Sequence, residues 1–76
     1  MDNFANRLRS LRKEMHLTQE EIAKKLNLSR STYSGWEAEG KEPGIKMICV
    51  LADLFDVSCD YLLGYTDERS NTDTVF

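Results

Sequence analysis

The sequence is poor in the residues from which most chemistry is built. It has one histidine, two cysteines and one proline in 76 residues. Cys49 and Cys59 stand ten apart, with no CxxC or Cys/His grouping, which excludes the usual zinc and redox motifs and predicts small reduced thiols. The lone His16 has no nucleophile or ligand group suitably placed, so it reads as a turn residue rather than a catalytic one. No Gly-rich cofactor loop and no paired acid–base carboxylates stand out, and neither an enzyme, a cofactor, a metal nor a small-molecule ligand is expected. No apolar run approaches the roughly 18 residues of a membrane span, and Met1 opens no signal-peptide pattern; the expected location is cytoplasmic.

What remains is an ordinary globular composition, 41% hydrophobic and 30% charged. A chain this short forms one domain and buries only about 60% of its unfolded surface, so association with a second copy would help it. The net charge of −3 is unevenly spread. Residues 1–41 carry eight Lys/Arg against six acids, or +2; residues 42–76 carry two against seven, or −5. A polyanion is permitted on one side of such a domain, not demanded.

Apolar spacing predicts five helices and no strand. Phe4, Leu8, Leu11 and Met15 form one stripe on a first helix over about 3–15. Thr18 and Glu21 in "TQEE" form a capping box that opens the second helix, whose inner face is Ile22, Ala23 and Leu26. Asn27, tolerant of the left-handed conformation, ends it, and Ser29 caps a third helix almost at once. "EGKEPG" is the longest breaker cluster. Ile45, Ile48, Leu51, Ala52 and Phe55 then build a fourth helix, while Ser58 caps a short fifth, "CDYLL", stopped by Gly64. From Tyr65 to Phe76 the text is polar and aperiodic, a flexible tail.

Two short helices joined by a three-residue turn make a helix-turn-helix, over about residues 18–38. On the second of them, Tyr33 and Trp36 fall on one side, and Ser31, Ser34, Gly35 and Ala38 leave the other nearly bare. A mid-helix Gly costs about 1 kcal/mol relative to Ala. Small residues there would let the backbone approach a DNA major groove about 12 Å wide, with free N–H groups facing a phosphate. Ala23 suits two helices crossing at close range.

Over residues 4–64 the chain resembles the lambda-repressor-like, Cro/CI-type (XRE) helix-turn-helix family, an all-α five-helix DNA-binding domain. The likeness rests on "RLRSLRKEMHLTQEEIAKKLNLSRSTYSGWE", Pro43 and "VSCDYLLG" in order. It implies that Gln19 contacts a phosphate and braces the third helix, that Ser29 contacts the backbone, and that Lys41 lies in a loop following the DNA. By the same likeness Arg30, Ser31, Ser34 and Gly35 hold base-reading positions, with Thr32 counted among the DNA-facing residues. Arg12 and Glu37 match a buried ion pair; Tyr33 and Trp36 match core positions. Two features depart from the family. Its usual Gly three residues after Trp36 is Glu39 here, with Gly40 one place later, and Gly35 has no side chain with which to read a base. Arg30 is left as the main reader, since a guanidinium can bond guanine O6 and N7 together.

One feature exceeds the pattern. On the fourth helix Met47, Val50 and Leu54 follow at intervals of three and four, away from the core stripe. A helix apolar all round is buried on both sides, which predicts a homodimer contact through helices four and five, with Tyr61 at its edge, or else packing beneath helix five or the tail. The expectation is a transcriptional regulator acting on double-stranded DNA as a homodimer at a near-palindromic site. The alternative is a protein-interaction module, an antitoxin or adaptor, on the same fold.

Overall fold

A computed structural model describes residues 3–38 and 40–69. The helices are α1 (Phe4–Glu14), α2 (Gln19–Lys25), α3 (Arg30–Glu37), α4 (Ile45–Phe55) and α5 (Cys59–Leu63), with no strand among the described residues. None of the described helices is long and apolar enough to cross a membrane.

Each helix begins where a side chain can satisfy its free N–H groups, except α4, whose N-cap is Gly44. Asn3, Thr18, Ser29 and Ser58 each accept a hydrogen bond from the backbone N–H three residues on. At α2 the capping box is complete: the Thr18 N–H donates to Glu21 Oε1 at 2.9 Å, and the Glu21 N–H to Thr18 Oγ1 at 3.0 Å.

Four of the five helices stop by the same device. A residue with positive φ follows the last turn, at His16 (59°), Asn27 (62°), Asp56 (56°) and Gly64 (89°). In each case the next N–H reaches back five residues: Leu17 to Arg12, Leu28 to Ala23, Val57 to Ala52 and Tyr65 to Asp60. This Schellman closure satisfies carbonyls that a helix end leaves bare. His16 and Asn27 thus take the turn roles their sequence positions suggested; Asp56 carried no such signal.

The core gathers Phe4, Leu8 and Leu11 of α1, Ile22 and Ala23 of α2, Tyr33 and Trp36 of α3, Ile48, Leu51 and Ala52 of α4, Val57, and Leu62 of α5. Ala23 is buried, on the helix that packs against α3. Four expected core residues are not in it: Leu26 and Phe55 are only half-buried against it, and Met15 and Ile45 are exposed. Met15 falls on the C-cap of α1 and is 40% exposed, and Ile45, the first residue of α4, is 82% exposed. Both lie at helix ends, where the stripe continues past the elements that cover it.

Residues 65–69, the start of the polar segment, are tied to the helices by specific bonds. Arg7 is buried, and its guanidinium donates to the carbonyls of Tyr61 (2.9 Å) and Thr66 (2.7 Å) and to Asp67 Oδ1 (2.8 Å). Arg69 pairs with both oxygens of Glu14, at 2.8 and 2.6 Å, and its carbonyl accepts from the Ser58 N–H. Both guanidiniums lie over the Tyr61 ring, at 4.0 and 5.2 Å from its centre. Apolar periodicity is blind to such a clasp, because it is made by charges far apart in sequence. Val75 and Phe76, at the end of the expected tail, lie outside the described residues.

Candidate nucleic-acid interface

The α2–α3 pair is built so that one flank of α3 is held and the other is open. Asn27 turns the chain, Leu28 packs half-buried on the core, and Ser29 starts α3 two residues after the turn residue. The Ser29 hydroxyl accepts from the Thr32 N–H at 3.1 Å and donates to Thr32 Oγ1 at 2.9 Å. Tyr33 is fully buried and meets Trp36 edge-on, with ring centres 5.9 Å apart.

Behind α3 sits a buried carboxylate, Glu37, 3% exposed. Its Oε2 accepts from Arg12 Nε at 2.7 Å and from the Tyr33 hydroxyl at 2.5 Å. Its Oε1 accepts from Arg12 Nη2 and Gln19 Nε2, each at 3.0 Å. Burial alone would push this carboxyl up; the bonds from Arg12, Tyr33 and Gln19 outweigh it and hold the group below its ordinary value. The carboxylate in turn raises Arg12 above its ordinary value, and burial with the Glu37 bond raises the Tyr33 phenol so far that it stays a donor. One anion therefore joins α1, α2 and α3. Arg9 adds a bond from Nη2 to the Glu37 carbonyl at 3.1 Å, placing a cation at the C-terminal end of α3.

The expected Arg12–Glu37 pair is thus present, bidentate and nearly dry. Its two further members were not expected in this role. Tyr33 lies four residues before Glu37 and so shares its helical face, a spacing from which the bond could have been read. Gln19, whose expected partner was a phosphate, directs its amide nitrogen to Glu37 on α3.

On the open flank Arg30, Ser31 and Thr32 are exposed, and Ser34 and Gly35 are half-buried. Ser34 Oγ folds back to the Ser31 carbonyl at 3.3 Å, leaving the surface low. Ser31, Thr32, Gly35, Trp36 and Lys41 line one shallow concavity. Lys41 belongs to the loop after α3, and its stem crosses Gly35: a Cβ on Gly35 would stand 3.4 Å from Lys41 Cδ. Gly40, with φ of 103°, makes the turn that brings Lys41 there, so the glycine displaced by one place from the family pattern serves this loop. Glu39 lies outside the described residues. The clasp at 65–69 is bonded to α1 and α5, not to this flank.

The residues expected at a second interface are divided. Val50 is 46% exposed, whereas Met47 and Leu54 are half-buried against the core. Tyr61 is half-buried beneath Arg7 and Arg69. Among the described residues no group of His, Cys, Asp and Glu could hold a metal ion.

Comparison with known proteins follows this geometry. A helix-turn-helix family model matches residues 8–62. YobD of Bacillus subtilis, described as an uncharacterized HTH-type transcriptional regulator, is 48% identical over 65 residues, which are 86% of this chain and 58% of YobD. AnsR of the same organism, an HTH-type transcriptional regulator, is 41% identical over 84% of this chain and 55% of its own length. MJ0272 of Methanocaldococcus jannaschii, an uncharacterized HTH-type transcriptional regulator, is 35% identical over 84% of this chain and 97% of its own length. The chain spans a little over half the length of the Bacillus relatives it matches.

Proposed function

The chain belongs to the Cro/CI-type (XRE) helix-turn-helix family, and from that premise we propose that it is a sequence-specific DNA-binding transcriptional regulator whose α3 enters the major groove. The observation that carries this reading is the division of α3. Tyr33, Trp36 and Glu37 fasten it from behind, while Arg30, Ser31, Thr32, Ser34 and Gly35 lie on its low, uncovered flank with Lys41 beside them. Arg30 reads a base, Ser29, Gln19 and Lys41 position the backbone, and the small residues admit it.

Cations are few on this side, because Arg7 and Arg12 are engaged within the domain. Sequence-dependent DNA shape therefore contributes part of the specificity. The protein acts as a homodimer through the α4 surface around Val50, with Met47 and Leu54 beneath it and Tyr61 at the margin. Such a dimer sets two recognition helices about 34 Å apart, one turn of DNA, and selects near-palindromic sites.

The test is selection of bound duplexes from a random DNA pool, followed by titration of the winners between about 50 and 200 mM salt. The expected outcome is an enriched, near-palindromic sequence whose affinity falls steeply with salt, and whose preference at one base position relaxes in Arg30→Ala. Absence of enrichment, or affinity indifferent to salt, would overturn the reading in favour of a protein-interaction module.

A further inference from the structure

Gly35 leaves a gap among the outward residues of α3, and Lys41 arrives at that gap from the loop. Gly40, at φ of 103°, turns the chain there through a backbone conformation that a side chain disfavours. The Lys41 stem then crosses α3 where residue 35 carries nothing: a Cβ on Gly35 would stand 3.4 Å from Lys41 Cδ. One methylene and the ammonium lie beyond that atom. Lys41 is exposed and lines the outward concavity together with Ser31, Thr32 and Trp36. Among the described residues no carboxylate is paired with it.

We propose that Lys41 is the second base reader of this domain, its ammonium supplying across Gly35 the donor that residue 35 lacks, and that it selects guanine. The inference rests on the major-groove reading of α3 and changes one assignment within it, moving Lys41 from the DNA backbone to a base edge.

A lysine serving phosphates alone would run out along its own loop. Here the stem leaves the loop and lies over the low flank that faces the groove. Other donors on that flank are short or engaged: the Ser29 hydroxyl donates to Thr32 Oγ1 and the Ser34 hydroxyl to the Ser31 carbonyl. Arg30 and Lys41 are therefore its long cationic donors. Guanine presents two acceptors, O6 and N7, on its major-groove edge, and the three N–H groups of an ammonium serve both. Adenine sets an N–H2 donor beside N7, which meets the ammonium donor to donor. Residues 30 and 35 are five apart, about 7.5 Å along a helix axis, which is roughly two base-pair steps. Lys41 thus reads a different position from Arg30.

The full chain is carried through the duplex selection. The best duplex and its single-base variants are then titrated by fluorescence anisotropy with the unaltered protein, Lys41→Ala, Lys41→Arg, Gly35→Ala and Arg30→Ala. Lys41→Ala is expected to lose about 5- to 10-fold of the preference for guanine at one position, while the position read by Arg30 keeps its own. Lys41→Arg retains the guanine preference, and Gly35→Ala, which crowds the stem, relaxes the same position. Circular dichroism confirms that each variant is folded. Equal weakening of every duplex by Lys41→Ala, with a salt slope shallower by about one, would make Lys41 a phosphate clamp and overturn this inference alone. Failure of the unaltered chain to enrich any duplex would overturn the DNA-binding reading along with it.

Discussion

Replacing Glu37 by Gln keeps the shape of the side chain and removes the charge at the junction of three helices. In the native chain its two oxygens receive four bonds, two from Arg12 and one each from Tyr33 and Gln19. A carboxamide offers one oxygen, and its NH2 must face a donor wherever it turns. Arg12, whose side chain is only 12% exposed, would also be left without a counter-ion. Breaking a buried pair costs about 3–5 kcal/mol; Arg12 retains an edge to water and a bond to the Leu17 carbonyl, which places the loss near 3. The whole domain is worth about 4–11 kcal/mol at typical stability per residue. About a quarter or more of that would go, lowering the melting temperature by about 12–24 °C for a domain of this size. Urea unfolding followed by the single buried Trp36 measures it. Tyr33→Phe, which removes one bond to the anion and strands no charge, should lose only about 1.5–3 kcal/mol. A loss under about 1 kcal/mol for Glu37→Gln would refute the view that this anion organises the domain.

Four further outcomes follow. Glu37 is held below its ordinary carboxyl value of 4.5 when folded, so its contribution is present above that pH and lost as pH falls through the folded value; urea midpoints should hold from pH 7 to about 5 and drop below about 4.5, less so in Glu37→Gln. Gly35→Ala should raise stability by about 0.5–1 kcal/mol through helix propensity, the Lys41 stem yielding, yet weaken binding to a selected duplex about 3- to 10-fold, or 0.7–1.4 kcal/mol, in a fluorescence-anisotropy titration. His16→Gly should stabilise by about 0.5–1 kcal/mol in urea, because the left-handed position costs any side chain more than glycine. If the protein is the homodimer proposed above, Val50→Arg should dissociate it in sedimentation without lowering the melting temperature of the monomer; an unchanged sedimentation coefficient in a dimeric protein would exclude this surface.

Much of the fold was legible because its signals are local. The Thr18–Glu21 box, the Ser29 and Ser58 caps, Asn27 at the turn and the stripe of Phe4, Leu8 and Leu11 each act within one or two helical turns. The Arg12–Glu37 pair was reached through family likeness; nothing in its spacing of 25 residues announces it. What remained hidden is non-local and polar: Arg7 gathering the segment at 65–69, and Gln19 turned inward to Glu37. These contacts depend on how helices cross, which a hydrophobic pattern constrains only loosely. Ile45 and Met15 show the opposite error, since periodicity continues to the last residue of a stripe whether or not a neighbour reaches that far.

In α3 the residues that hold the helix and those that face outward are nearly separate sets: 33, 36 and 37 in the first, 30, 31, 32, 34 and 35 in the second, with Trp36 alone also reaching the open concavity. Mutation can therefore rewrite the outward set without disturbing the inward one, and a new address can be acquired while the holder stays sound. A lineage built on this scaffold can diversify its targets one surface residue at a time, each intermediate still folded.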